Sequence, residues 1–402
     1  MWQIEITNTQ TTSIMKPFIS ETIKYIGVDD ADLDLFESQY IVPNGISYNS
    51  YLIEDEKLAV MDTVDLRKSE DWWRNLQGAL NGRTPDYLVV QHMEPDHAGN
   101  IARAMEMYPN MVIVASDRAI KMLPQFFEGV DFEGKTLAVK EGDTLCLGKH
   151  TLQFIMAPMV HWPEVMVTFD QTDKVLFSAD AFGKFGALAH NEEWACEARR
   201  YYFNICGKYG VQVQALLKKV AALPVEVICP LHGPVLSEDL GYYVGLYDTW
   251  SKYEVETDGV FIAFASIHGG TAEAARKLAD ILREKGAKKV SVADLSRDDM
   301  AEAVEDAFRM GRLVVAAASY DASVFPPMYD FLHHLQLKGY QKRRVGVVEN
   351  GSWAPCAGRI MTGMLEQMKD IEIVQPMVTI RSRMKQADIP ALEALADEML
   401  KN

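Results

Sequence analysis

Short apolar runs separated by polar turns fill the first half of the chain, at 51–53, 58–61, 87–90, 111–115, 152–156, 175–177 and 225–229. Runs this short, rich in β-branched and aromatic residues, predict strands. Helical spacing lies between some of them, over 69–80, 115–127 and 211–223, so the stretch from Lys24 to about Pro234 predicts an α/β sandwich. A helical, aromatic-rich segment over 241–256 leads out of it. At Asp258-Gly259 the pattern becomes a strict alternation, with strands near 260–265, 289–292, 313–318, 344–348 and 371–374. Amphipathic helices lie between, for example over 272–284, ended by Gly286, and over 300–310, opened by Asp298 and Asp299. Such β-α units predict a doubly wound parallel sheet. The expected division is therefore 1–256 and 257–402.

A chain of 402 residues, 48% of them hydrophobic, is long enough for more than one core. No run of about 18 uncharged apolar residues is present, and the start lacks a basic segment followed by an apolar stretch and a small-residue cleavage site. A soluble, cytoplasmic protein with no membrane partner is expected. The formal charge of -17 argues against nucleic acid as a partner, though a small protein donor can still dock. The cysteines (Cys146, Cys196, Cys206, Cys229, Cys356) form no C-x-x-C pair, so a thiolate-held cluster is expected on another protein, not here.

The sharpest chemical signal is His92-Met93-Glu94-Pro95-Asp96-His97, which follows the apolar run 87–90 and opens into a helix. Four potential ligands in six residues are too many for one structural zinc. His161, Asp180 and His232 each follow another predicted strand, the last inside Pro230-Leu231-His232-Gly233-Pro234. One sheet edge therefore gathers enough donors for two metals. The bland alternative makes Asp96 a helix cap and the histidines ordinary loop residues; the clustering of four of nine histidines in these places weighs against it. Imidazole plus carboxylate without thiolate suits iron or manganese better than structural zinc.

In the second half, the strand at 260–265 runs into Ser266-Ile267-His268-Gly269-Gly270-Thr271 and then a helix. The loop is neither G-x-G-x-x-G nor a lysine-bearing triphosphate loop. Hydroxyls at both ends with glycines between let backbone N-H groups and a helix N-terminus wrap a single phosphate, which suits FMN. Two further loops past predicted strands carry aromatics: Ser319-Tyr320-Asp321-Ala322-Ser323-Val324-Phe325 and Asn350-Gly351-Ser352-Trp353-Ala354-Pro355-Cys356. Tyr320 and Trp353 offer flat faces for an isoalloxazine ring. The competing reading is a plain Ser/Gly turn with exposed loop aromatics.

Taken together, His-x-Glu-x-Asp-His, the distant His161 and Asp180, and the final Pro-Leu-His-Gly resemble the metallo-β-lactamase-like domain of flavodiiron proteins. The three later loops resemble the FMN loops of that family's flavodoxin domain. The resemblance runs from about Ser20 to Asn402. It implies an N-terminal metallo-β-lactamase-like αββα sandwich followed by a flavodoxin-like doubly wound parallel sheet. Hydrolases of the first fold carry His-x-His-x-Asp-His and bind zinc; here Glu94 replaces the second histidine, and a carboxylate favours oxidation of the metal. By resemblance, one iron is held by His92, Glu94 and His161, the other by Asp96, His97 and His232, and Asp180 bridges them. The segment Tyr201-Tyr202-Phe203-Asn204-Ile205 also resembles one near the family's site, which makes Tyr202 either a hydrogen-bonding neighbour of that site or a core tyrosine. The implied function is reduction of dioxygen to water, of nitric oxide to nitrous oxide, or both, with electrons passed through FMN from rubredoxin or a similar small redox protein. Family members form head-to-tail homodimers or dimers of dimers, and a minimal form without fused rubredoxin or flavin reductase is expected. Two other functions stay open: a zinc or manganese hydrolase with an appended flavodoxin domain, and an electron carrier whose first domain is a structural relic.

Overall fold

The computed structural model describes residues 17–190 and 192–401, so the expected domain ends at 1 and 402 lie outside the described residues. Two sheets stack in the first part. The first contains β1 (Ile23–Tyr25), β2 (Tyr51–Ile53), β3 (Ala59–Met61), β4 (Tyr87–Val90), β5 (Val112–Ser116) and β6 (Thr136–Val139), paired in chain order. The second contains β7 (Thr144–Cys146), β8 (Thr151–Met156), β9 (Met166–Asp170), β10 (Val175–Phe177) and β11 (Val227–Cys229), again in chain order. Their facing side chains, among them Tyr51, Met61, Val89, Val114, Phe154, Phe177 and Cys229, form one buried layer. Helices cover both outer faces, Ser69–Leu80 through Trp72, Trp73 and Leu76 on one side and Trp194–Ile205 through Ala198, Tyr202 and Phe203 on the other. Helix, sheet, sheet, helix is the predicted sandwich.

The third sheet is parallel along its main path, β12 (Thr257–Ala265), β13 (Val290–Asp294), β14 (Met310–Tyr320), β15 (Arg343–Asn350) and β16 (Ile371–Ile373), with Val378–Ile380 added parallel to β15 and Ser323–Val324 antiparallel to β14. The order β13-β12-β14-β15-β16 reverses direction once beside β12, the doubly wound order of flavodoxin-like folds. One face packs on the helices Gly270–Glu284 and Ile389–Leu400. The other merges with the outer layer of the sandwich, so Phe203, Trp250, Phe308 and Leu313 belong to one continuous core. Arg199 of the helix Trp194–Ile205 pairs with Glu256 at 2.6 Å and with Glu305 across that junction.

The strands β1, β6, β7 and β9 and the helix Trp194–Ile205 lie outside the predicted elements, β9 and the helix because burial erases their periodicity. β9 is buried at all positions, so it shows no alternation to read. Trp194–Ile205 is buried around most of its circumference, arginines included, and the 3.6-residue stripe is lost.

Candidate functional site

Every candidate metal ligand of the first half stands just past the carboxyl end of a strand: His92 to His97 after β4, His161 after β8, Asp180 after β10, and His232 after β11. The strands are buried and rigid, so their ends aim these residues into one cleft. Two groups result, His92, Glu94, His161 and Asp180 in one and Asp96, His97 and His232 in the other. Asp180 belongs to both by geometry. Its Oδ2 lies 3.4 Å from His92 Nε2 and 3.2 Å from His161 Nε2, while its Oδ1 lies 3.2 Å from His97 Nε2 and 3.8 Å from His232 Nε2. Glu94 Oε2 is 3.1 Å from the Nε2 atoms of His92 and His161, and Asp96 Oδ2 is 3.3 Å from those of His97 and His232.

These spacings fit a metal better than hydrogen bonds. Two donors about 2.1 Å from a cation and roughly 100° apart are themselves about 3.2 Å apart, whereas charge-assisted hydrogen bonds are commonly about 2.7–2.9 Å. Both oxygens of Asp96 and Asp180, both ring nitrogens of His97, and Nε2 of His161 and His232 are buried without a hydrogen-bond partner among the described residues. Such atoms are costly to leave unpaired. Three carboxylates in one buried cleft demand compensating positive charge. In the absence of metal the histidines supply it. Burial pushes the His161 imidazole down, but the Asp180 and Glu94 carboxylates outweigh it and raise its pKa to about 9. His92 and His97 are likewise raised against burial by the surrounding carboxylates. Asp180 is held well below the usual carboxylate range: burial opposes this, and His97 and His92 override it.

A second ring of contacts, absent from the sequence reading, fixes these side chains. His92 Nδ1 lies 2.8 Å from Glu164 Oε1, which also accepts from the Met93 backbone N-H at 2.9 Å. His232 Nδ1 donates to the Ser47 carbonyl at 2.7 Å. With Nδ1 so engaged, Nε2 of each ring is free to face the cleft. Asp62, left-handed at φ 53, accepts from the Gln91 backbone N-H at 2.7 Å and from its side chain at 2.9 Å, tying down the start of the ligand loop. Asp62 follows β3, so the rule that polar residues past strand ends converge would have found it. Glu164, 72 residues from His92, gave no such signal.

The capping alternative for Asp96 does not hold: Glu94 occupies the N-cap of the helix Pro95–Ala98, and no side chain caps it. Tyr202 does not reach a ligand. Its ring packs on Phe203, Tyr247 and Trp250 at 5.2, 5.1 and 5.5 Å, and its buried hydroxyl has no hydrogen-bond partner among the described residues. The neighbouring Tyr201 instead lies 5.5 Å from His232.

The three loops of the second half also converge, past β12, β14 and β15. The helix Gly270–Glu284 starts at Gly269, left-handed at φ 89, and no side chain caps its N-terminus. Its first N-H groups therefore remain available to an anion beside Ser266, Ile267, His268 and Thr271. A Cβ on Gly270 would stand 2.2 Å from the Ser382 carbonyl, so only glycine lets these loops close. Ser382 also joins the third loop, through its N-H to Asn350 at 3.1 Å and its hydroxyl to Ser352 at 2.7 Å. The second loop turns at Asp321 and Ala322, at φ 49 and 57, the paired positive values of a tight hairpin. Ser319 holds the loops together by accepting from the N-H groups of Cys356 and Ala357 at 2.8 and 3.1 Å. Ile267, Tyr320 and Trp353 are left uncovered on these loops, Trp353 at 89% exposure, with Gly351 and Ala354 beside it. A backbone anion cradle under uncovered flat apolar side chains fits a phosphate-bearing aromatic ring system.

Residues 46–233 match the model of the ODP family beta lactamase. The chain is 29% identical over 347 residues to an anaerobic nitric oxide reductase flavorubredoxin of Vibrio vulnificus, covering 83% of this chain and 70% of that one. It resembles in structure the rubredoxin oxygen:oxidoreductase of Desulfovibrio gigas, with a TM-score of 0.89 and 25% identity over 96% of this chain and 98% of that one. The flavodiiron protein of Giardia intestinalis shares the fold, with a TM-score of 0.89 and 22% identity over 97% of each chain.

Proposed function

The chain belongs to the flavodiiron protein family and is an oxidoreductase, and on that premise we propose that it reduces dioxygen to water, nitric oxide to nitrous oxide, or both, at two non-haem irons served by FMN. The observation that carries this reading is Asp180, whose two oxygens face two different sets of donors. His92, Glu94 and His161 would hold one iron and Asp96, His97 and His232 the other, with Asp180 placed to reach both. Bound together, two ferrous ions and a two-electron flavin supply the four electrons that dioxygen needs, or the two that a pair of nitric oxide molecules needs.

The protein's own part is placement. Glu164 and the Ser47 carbonyl fix the tautomers of His92 and His232, so neither ring must reorganise. The uncapped helix at Gly270, with Ser266 to Thr271, would hold the FMN phosphate, Tyr320 and Trp353 would offer faces to the ring, and Ser319, Asp321, Ala322 and Asn350 to Ala354 would line its edge. The two functional units divide at 256/257. Rubredoxin or a similar small redox protein is the donor, and pairing of chains head to tail brings the flavin of one to the irons of the other. No helix among the described residues is long and apolar enough to cross a membrane.

Anaerobic reduction followed by addition of oxygen or nitric oxide, with consumption followed by electrode, tests the reading. About one FMN and two irons per chain are expected, with at least one gas consumed. A zinc-only protein that takes up no flavin after reconstitution sinks it and favours a hydrolase.

A further inference from the structure

Two adjacent arginines on the helix Trp194–Ile205 carry buried charge into the junction between the two units. Arg199 pairs with Glu256 at the unit boundary and with Glu305 of the helix Met300–Arg309. Arg200, 2% exposed, is instead shared between the wall of the metal cleft and the flavodoxin-like unit. On the cleft side its guanidinium donates to the Ile41 carbonyl at 2.9 Å and lies 4.6 Å over the Phe185 ring. Phe185 packs on Phe36 at 5.5 Å and on Tyr201 at 5.1 Å, and those two rings stand 5.4 and 5.5 Å from His232. On the other side Arg200 donates to Asp299 at 3.2 Å and lies 3.4 Å from Glu302, while Glu197, one turn back on its own helix, accepts at 2.8 Å.

Asp299 caps the helix Met300–Arg309 by accepting from the Ala301 N-H at 3.0 Å, and Asn204 donates to the Ala301 carbonyl at 3.2 Å. Met300, the first residue of that helix, lines a cavity of about 710 Å³ together with Tyr320 and Asp321 of the second flavin loop. One side chain thus connects the packing around His232 to the helix that borders the flavin loop. A planar fork with five donors can meet a carbonyl and three carboxylates at once, whereas lysine offers a single point charge. A buried ion pair returns little net stability, because desolvation offsets its Coulomb gain; what it fixes is register. The stacked rings of Phe203 and Phe308, 4.2 Å apart across the same junction, hold the units together without a directional bond.

We propose that Arg200 is a positioning residue for electron transfer, its guanidinium fixing how the flavin-bearing unit is turned relative to the metal cleft. The role rests on the reductase reading. Flavin and irons belong to different units, so the gap that an electron crosses depends on that orientation, whichever chain's flavin serves the irons. Arg200 itself carries neither electron nor proton.

Arg200→Met, Arg200→Lys and the double variant Asp299→Asn with Glu302→Gln, each made in the full chain with iron and FMN counted, test this. The double variant cuts the link from its open end, Glu302 being 49% exposed, and asparagine still caps the helix, so its folding is not at stake. Reduction of the flavin by dithionite is expected at the wild-type rate in all three. Reoxidation of the reduced flavin by oxygen or nitric oxide is expected to slow on the order of tenfold in Arg200→Met and in the double variant, with Arg200→Lys between them and wild type. Hydrogen exchange in the resting holoenzyme gives a readout apart from turnover: the first turn of the helix Met300–Arg309 is expected to exchange faster in Arg200→Met. Wild-type reoxidation in the double variant or in folded Arg200→Met, slowing that merely follows lost iron or FMN, or unchanged exchange overturns the proposal alone. A wild-type protein with both cofactors that reacts with neither gas overturns the reductase reading and the proposal with it.

Discussion

At the metal end the side chains proposed as ligands are buried or nearly so, and two of the imidazoles are held from behind, His92 by Glu164 and His232 by the Ser47 carbonyl. At the flavin end the cradle is backbone, and the flat side chains stand free, Tyr320 at 44% and Trp353 at 89% exposure. The first end is finished before its ligand arrives and carries unpaired charge as the cost. The second is finished by the ligand itself. Substitutions should therefore act at the metal end through the identity of one atom, and at the flavin end through charge and backbone shape.

Asp180→Asn gives the largest effect. It removes the carboxylate that faces both sets of donors, and losing one partner of a buried charge pair costs about 3–5 kcal/mol, on the order of a thousandfold in metal affinity. Both irons should be lost on dialysis, with all gas reduction, whereas Asp96→Asn should empty mainly the site of His97 and His232. Iron counts decide, and full, equal occupancy in both variants breaks the bridging assignment.

Thr271→Asp is the matching test of the flavin end. Thr271 is buried in the first turn of the helix Gly270–Glu284, where an acidic side chain suits the helix dipole, so unfolding is not expected. The same charge would face the proposed phosphate site and should weaken FMN binding on the order of a hundredfold, leaving the iron count intact. Retained yellow colour after gel filtration would move the phosphate elsewhere.

The charge imbalance at the metal end also predicts a pH dependence that the flavin end lacks. In the metal-free protein His161, raised from 6.5 to about 9, contributes stability that is fully present below about pH 6.5 and is lost as pH rises through 9. Asp180, held low, contributes in the opposite sense, fully present above the ordinary carboxylate range and lost as pH falls from that range through its own lowered value. Metal-free protein should therefore be most stable in weak acid and lose on the order of 2 kcal/mol toward pH 10, since the titration is shared among coupled groups. Metal-loaded protein, whose ligands are already deprotonated, should show no such decline. Melting temperatures of the two forms from pH 6 to 10 check this, and parallel curves contradict it.

Much of this was readable in advance because strands delivered the ligands. The apolar runs before His92, Asp180 and His232 end where β4, β10 and β11 end, and the alternation after Asp258 matches the parallel sheet. What stayed hidden depends on distant parts of the chain meeting. Glu164 reads as an ordinary loop glutamate until β8 and β9 bring it under His92. The Ser382 contact with Gly270 joins loops over a hundred residues apart.

Tyr202 carries the smallest predicted effect and the clearest lesson about helix faces. Tyr201 and Tyr202 are adjacent on the helix Trp194–Ile205, and one residue of rotation is about 100°. One ring therefore meets His232, and the other enters the core between the two units. A family segment near the site points to the pair without saying which member faces it. Tyr202 buries a hydroxyl with no partner among the described residues, so Tyr202→Phe removes a polar group that gained no hydrogen bond from them on folding. The expected change is neutral to stabilising by up to about 1 kcal/mol, with iron content and gas reduction at wild-type level. Denaturant midpoints and kcat measured side by side check it. A kcat lower by more than about twofold, without lost stability, would mean that the hydroxyl turns toward the loaded metal site and that Tyr202 acts there.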